Sequence, residues 1–297
     1  MSLQPLELTF NLVMILFWIS LWTFDERTVY FNPYVTNIHR IVRPVVRFLQ
    51  PAFWRWSVRR TTIGILALIV IFRALLYPLL GPATVRQFWA VGIGFELVRL
   101  RTVGLPACLV FSLMSFAVFL FKYWCVCLLF LGVPRGGGPG RAAEFVYETC
   151  RPFSLVPYAY RPLVLLLFGM TLLGVLNMVG GPHDLLNRSP ILVGSLGPVT
   201  VLRYAVLSLA GWVASLQVLR AAMLVLIIAS WVAMMSAGGA LMLMSREWLN
   251  LILGPFRRVR VVIGMFDLTP LIALVLIHIV YGVLSFILQQ IYIVTLR

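Results

Sequence analysis

The sequence predicts an all-α integral membrane protein of about six transmembrane helices, set in repeated two-helix hairpin units with interfacial amphipathic helices between them. Three observations lead there. Apolar residues make up 62% of the chain and charged ones 11%, with a mean hydropathy of +1.00, so no water-soluble core of this size could enclose the apolar surface. That apolar content is gathered into stretches near 8–24, 61–80, 104–131, 162–179, 219–243 and 268–288, each near the roughly 20 residues that cross a hydrocarbon layer about 30 Å thick. Basic residues collect between these stretches, and mainly in alternate loops.

The first stretch has no basic leader or small-residue cleavage site, and Asp25 and Glu26 follow it, which predicts a retained helix and not a signal peptide. The net charge of +15 does not point to nucleic acid, because the basic residues form no single soluble patch with stackable aromatics beside it. All but Lys122 of the 24 basic residues are arginine. Guanidinium forks hold phosphate bidentately, which suits lipid headgroups, although a codon bias would give the same count. Cys108, Cys125, Cys127 and Cys150 make neither a metal knuckle nor a disulfide framework; the three in or beside a span are expected to be small apolar packers.

Internal similarity sets the organisation. Leu80-Gly81-Pro82-Ala83-Thr84-Val85 reappears as Leu196-Gly197-Pro198-Val199-Thr200-Val201, and a helix opening at Pro162-Leu163 and closing at Gly174-Val175-Leu176 is matched by Pro270-Leu271 and Gly282-Val283-Leu284. The second pair lies closer together along the chain because the first copy carries a Gly-rich loop at 134–141, whose glycines resist helix and strand alike. A partial copy fits the N-terminus, where Arg43-Pro44 precedes Pro51. The expected units are 1–80, 81–180 with the Gly-rich loop, and 181–297.

Within a unit, a segment such as 84–101 is interrupted by Arg86, Glu96, Arg99 and Arg101, too charged to span and expected at the interface. Its counterpart 199–217 is more apolar, which leaves six or eight membrane helices open. A span follows, then an amphipathic stretch: Val35, Ile38, Ile41 and Val42 recur at helical spacing, as do Trp248, Leu249, Ile252 and Leu253. Proline ends that stretch, arginines follow, and a second span returns.

Loops after the first, third and fifth spans hold fifteen arginines, from Arg27 through Arg260, and the opposite side holds six. Positive loops stay cytoplasmic, so all three basic hairpins are expected inside, in a bacterial inner membrane or, alternatively, an organellar one. Repeats of two spans keep one orientation and are related by an axis along the membrane normal.

At Gly254-Pro255-Phe256-Arg257-Arg258, followed by Phe266-Asp267-Leu268-Thr269-Pro270, the chain resembles the YggT family of small membrane proteins. That family shows two helices, a Ser-Trp late in the first, a Pro-x-Arg-Arg hairpin and an Asp-Leu-Ser-Pro start to the second. Here Ser230-Trp231 supplies the first mark and Thr269 stands where serine is usual. The likeness covers residues 219–288 and is weaker in 1–80; the middle unit keeps only Pro162. It implies a role in assembling or organising membrane complexes, or in osmotic tolerance, and no catalytic residue.

Asp267 or Thr269 is expected to cap the last helix, proline in the first turn giving up an amide that has no partner there anyway; alternatively Asp267 pairs with Arg257 or Arg258, or binds a cation. Arg73, Lys122 and Arg220 lie inside spans, where charge is costly, and are expected to snorkel from near the ends; His278 is expected to make a helix-to-helix hydrogen bond. No triad, His-Glu-x-x-His or phosphate loop is present, and no cofactor or metal is expected. The expected function is a non-enzymatic scaffold or assembly subunit. It would dock other integral membrane proteins and bind anionic phospholipid through Arg43, Arg47, Arg257, Arg258 and Arg260. The alternative is a channel or transporter element in ion or osmotic balance.

Overall fold

A computed structural model describes residues 4–23, 32–53, 56–80, 89–94, 96–100, 105–131, 140–180, 197–235, 239–254, 261–263 and 266–295. In chain order these form α1 (Gln4–Thr23), α2 (Pro33–Leu49), α3 (Val58–Leu80), the strands β1 (Trp89–Ile93) and β2 (Glu96–Leu100), α4 (Leu105–Leu131), α5 (Arg141–Thr149), α6 (Arg161–Gly180), α7 (Pro198–Met235), α8 (Gly239–Ile252), β3 (Val262–Ile263), β4 (Phe266–Asp267) and α9 (Thr269–Val294). Six of them, α1, α3, α4, α6, α7 and α9, are long and apolar enough to cross a membrane. The chain is predominantly helical and fits a multi-pass membrane protein.

Two segments depart from the sequence reading. The stretch 199–217 is neither a separate span nor an interfacial segment: it runs on into the fifth span as the single 38-residue helix α7, roughly 57 Å long at the α-helical rise and well beyond one hydrocarbon thickness. α7 is described to Met235 and α8 from Gly239. Within the segment expected at the interface, 89–100 forms an antiparallel β-hairpin, Val91 opposite Val98 and Ile93 opposite Glu96. Gly94 makes its turn with φ of +64°, open to glycine at little cost. Ile93, fully buried, enters the cluster around Phe111, Phe121, Leu173, Leu176 and Leu207.

The long helices pack as α1 on α3, α4 on α6 and α7 on α9, with α4 at the centre touching α1, α3, α6 and α7. Between the members of each pair stands one short helix: α2, α5 or α8. These three also touch one another, α2 on α5 and α5 on α8, so the C-terminal ends of α1, α4 and α7 meet at one end of the bundle. The helix α2 has three faces. Val35, Ile38, Val42 and Val46 are buried, Arg40 and Arg47 are exposed, and Ile41, Val45 and Phe48 form an exposed apolar edge. Ile41 therefore turns away from the buried side that its spacing suggested.

Candidate functional site

The short helices are joined by a small set of polar side chains. Asn32 caps α2 by accepting the Tyr34 amide at 3.1 Å, and its own Nδ2 donates to the Arg141 carbonyl at 2.7 Å. Glu247 of α8 receives two bonds: the Ala142 amide of α5 at 2.8 Å and the Tyr34 hydroxyl at 3.1 Å. A carboxylate at the start of α5 meets both the unpaired amides of a helix N-terminus and the positive end of its dipole. Around it stand Tyr34, Phe145 and Trp248, one ring from each short helix, with centroids 5.5 to 5.9 Å apart. Burial, and next the Glu247 carboxylate, push the Tyr34 phenol up to about 12. The sequence gives little warning of this clasp; the only signal was Asn32-Pro33, a good helix start, whereas Glu247 reads as one more surface charge.

Arg43 and Arg47, one turn apart, line an open cleft of about 260 Å³ with Val46, Gln50 and Val58. Leu49, next in sequence to Gln50, lines an apolar groove of about 310 Å³ between α1 and α3, whose walls include Phe10, Val13, Ile65, Ile69 and Phe72. The arginines of the second hairpin are engaged differently. Arg161 donates to the carbonyls of Ser154 and Val156, both at 2.9 Å, and Arg151 pairs with Glu148 at 3.0 Å. Arg257, Arg258 and Arg260 lie outside the described residues, as does most of the Gly-rich loop.

At the start of α9 the cap position is held by Leu268, which makes no side-chain cap bond, and the Asp267 side chain lies outside the described ones. Thr269 is buried, and its hydroxyl accepts the Val261 amide at 3.1 Å, so it ties the segment entering β3 to the start of the helix. Asp267 pairs in β4 with Val262.

Inside the spans the three cations differ. Arg73 is fully buried. It donates to Asn11 Oδ1 on α1 and Ser115 Oγ on α4, each at 2.8 Å, and to the Tyr77 hydroxyl; Phe10 and Tyr77 offer ring faces at 6.0 and 5.5 Å. This overturns its reading as a snorkelling side chain. Lys122 is exposed on α4. Arg220 on α7 and His278 on α9 lie 2.6 Å apart on the outer flank of the bundle. His278 thus makes a bond between helices, and Arg220 reaches it rather than the end of its span. Compared with protein-family models, with curated proteins and with solved structures, the chain matches none.

Proposed function

We propose that the protein is a non-enzymatic membrane scaffold or assembly subunit, its spans docking partner membrane proteins and its arginine-bearing hairpins gripping anionic phospholipid. The supporting observation is the pairing of cleft and groove: Arg43 and Arg47 line an open cleft with Val46, Gln50 and Val58, and Leu49, next in sequence to Gln50, lines an apolar groove between α1 and α3. A phosphate suits the first and an acyl chain the second. Two guanidinium groups near an anionic surface contribute about 1 kcal/mol each, screened within a Debye length of about 10 Å at 0.1 M salt.

The three long-short-long sets read as copies of one hairpin whose short helix lies at the membrane surface, basic side toward the cytoplasm of a bacterial or organellar membrane. Residues 219–288 carry the likeness to the YggT family. Cysteines placed at Arg47, Gly137 and Arg258 are then shielded from an impermeant thiol reagent added outside, and one at Asn187 reacts; labelling of Gly137 and Asn187 from the same side would reject the repeat.

The lipid reading is tested by native mass spectrometry with phosphatidylglycerol or cardiolipin. Replacing Arg43 and Arg47 by glutamine, and separately Arg257, Arg258 and Arg260, weakens lipid retention and leaves insertion intact, and lysine restores only part because it lacks the fork. Undiminished retention in both variants would reduce these arginines to topology signals.

The second reading, a channel or transporter element, draws on Arg73, an ionised group held wholly inside the bundle, since intramembrane charge often marks a pathway. Selective ion flux through liposomes holding the protein alone, lost on Arg73→Met, would favour it over the scaffold.

A further inference from the structure

The Arg220–His278 pair is a charged group left incomplete. Arginine can only donate, so the 2.6 Å contact makes His278 Nδ1 the acceptor and puts the ring's proton on Nε2. What the pair offers outward is therefore entirely donor: the remaining guanidinium N–H groups, the Nε2–H and one positive charge. Arg73 shows how this bundle treats a cation it encloses, with acceptors from three helices around it. Arg220 has one acceptor, and among the described residues no carboxylate lies within ion-pair distance of it.

Its position is deep in the apolar region. His278 lies roughly 13 Å along α9 from Thr269, and Arg220 roughly 22 Å along α7 from Met235, at 1.5 Å per residue. Around the pair the surface is aliphatic, with Leu224, Val225, Val275 and Ile279 exposed. This flank is also the least covered by the rest of the chain: 11% of the α9 apolar window is buried, against 44% for α1, α3 and α4. Charge facing hydrocarbon is costly, and polar groups at that depth find partners on neighbouring helices.

We propose that the α7–α9 flank docks a membrane-spanning helix of a partner protein that carries aspartate or glutamate at the depth of Arg220, its carboxylate accepting from the guanidinium and from His278 Nε2. The occupant is another protein and not a second copy, because the only carboxylate of this chain inside a candidate span is Glu7, next to the end of its window. A lipid phosphate stays at headgroup depth. This names the partner chemistry within the scaffold reading and is independent of the arginine hairpins, so the native mass spectrometry above can fail while this holds, and the reverse.

The test uses the full-length chain in its own membranes, with a photoreactive phenylalanine at Leu224 or Ile279 and a control at Leu68 on the α1–α3 flank. Cross-linked peptides are sequenced by mass spectrometry. From Leu224 and Ile279 they come from a spanning segment of another protein that contains aspartate or glutamate, and from Leu68 they do not. Arg220→Gln lowers the yield about tenfold or more, whereas Arg220→Lys, which keeps the charge and guards against simple misfolding, retains a substantial part of it. Adducts with phospholipid alone, with a second copy, or with a segment lacking a carboxylate would overturn the proposal, as would an undiminished yield in Arg220→Gln.

Discussion

The hydroxyl of Tyr34 donates to Glu247 Oε2 at 3.1 Å, joining the first short helix to the third across 213 residues of sequence. The other oxygen of the same carboxylate accepts the Ala142 amide at 2.8 Å, so one side chain of α8 holds both α2 and α5. Hydrogen bonds to a charged group contribute about 1.5 to 3 kcal/mol. Glu247→Ala should therefore lower stability by about 3 kcal/mol, measured by thermal unfolding in detergent, and Glu247→Gln by about half of that, since one amide oxygen remains to accept. In Glu247→Gln the Tyr34 phenol should also titrate below its value of about 12, because the carboxylate charge that adds to its elevation is gone while burial persists. Ultraviolet titration that finds Tyr34 unmoved would leave burial as the whole cause.

His39 fastens α2 to the end of α1, its Nδ1 at 3.4 Å from Ser20 Oγ and its Nε2 at 3.0 Å from Thr23 Oγ1. Burial holds this imidazole below the usual 6.5, opposed by its hydrogen bond to the Thr23 backbone. Between the depressed value and about 6.5 the unfolded chain binds more protons than the folded one, so stability is full above that window and falls as pH drops through it. Amides of Val42 and Val46 should exchange faster at about pH 5.5 than at about 7.5 once intrinsic rates are corrected, and His39→Phe should flatten the difference. Equal protection at both values would mean that His39 does not hold the helix.

Gly94 meets two constraints at once. Its φ is +64°, and a Cβ there would lie 2.6 Å from the Leu207 carbonyl oxygen, a backbone atom that cannot swing aside. At Gly211 across the same contact the nearest atoms are the Ile93 and Phe121 side chains at 3.0 Å, which can give a little. Gly94→Ala should cost about 2 to 4 kcal/mol, strain and overpacking together, and Gly211→Ala about 1 kcal/mol. Thermal melts of the two variants in the same detergent should keep that order; a reversal would place the hairpin turn away from α7.

Hydrophobic content and span length made the helical, multi-pass fold legible, because a helix in lipid is defined by a run of about 20 apolar residues and little else. Ends were less legible. The stretch 199–217 runs on inside α7, where Gly211 leaves room for Ile93. The β1–β2 hairpin is hard to read because Arg86, Glu96 and Arg99 interrupt the apolar pattern, while Gly92, Gly94 and the alternation of Trp89, Val91 and Ile93 mark it. At the candidate sites, Arg43 and Arg47 were readable as basic residues one helical turn apart. Glu247, Tyr34 and Ala142 were not, because their meeting depends on three helices distant in sequence arriving at one end of the bundle.

Arg73 gives the sharpest test of how the interior is built. With no exposure, its charge is met by Asn11 Oδ1 and Ser115 Oγ at 2.8 Å, the Tyr77 hydroxyl and the ring faces of Phe10 and Tyr77, with the Glu7 carboxylate in electrostatic reach, one turn of α1 before Asn11. Removing one acceptor strands a buried ion, so Asn11→Leu should cost about 3 to 5 kcal/mol. Arg73→Ala should cost a similar amount through the cavity it opens. Arg73→Met is different: it fills much of the volume, removes the desolvated charge and leaves Asn11 Nδ2 donating to Ser115 Oγ at 3.5 Å, so its loss should be about 1 kcal/mol or less. The double variant Asn11→Leu with Arg73→Met should then be more stable than Asn11→Leu alone, a sign that separates electrostatic penalty from lost packing. Unfolding measured in mixed micelles decides it: if Arg73→Met is as damaging as Arg73→Ala and does not rescue Asn11→Leu, the arginine holds three helices together by its own bonds, and the charge is an asset rather than a burden.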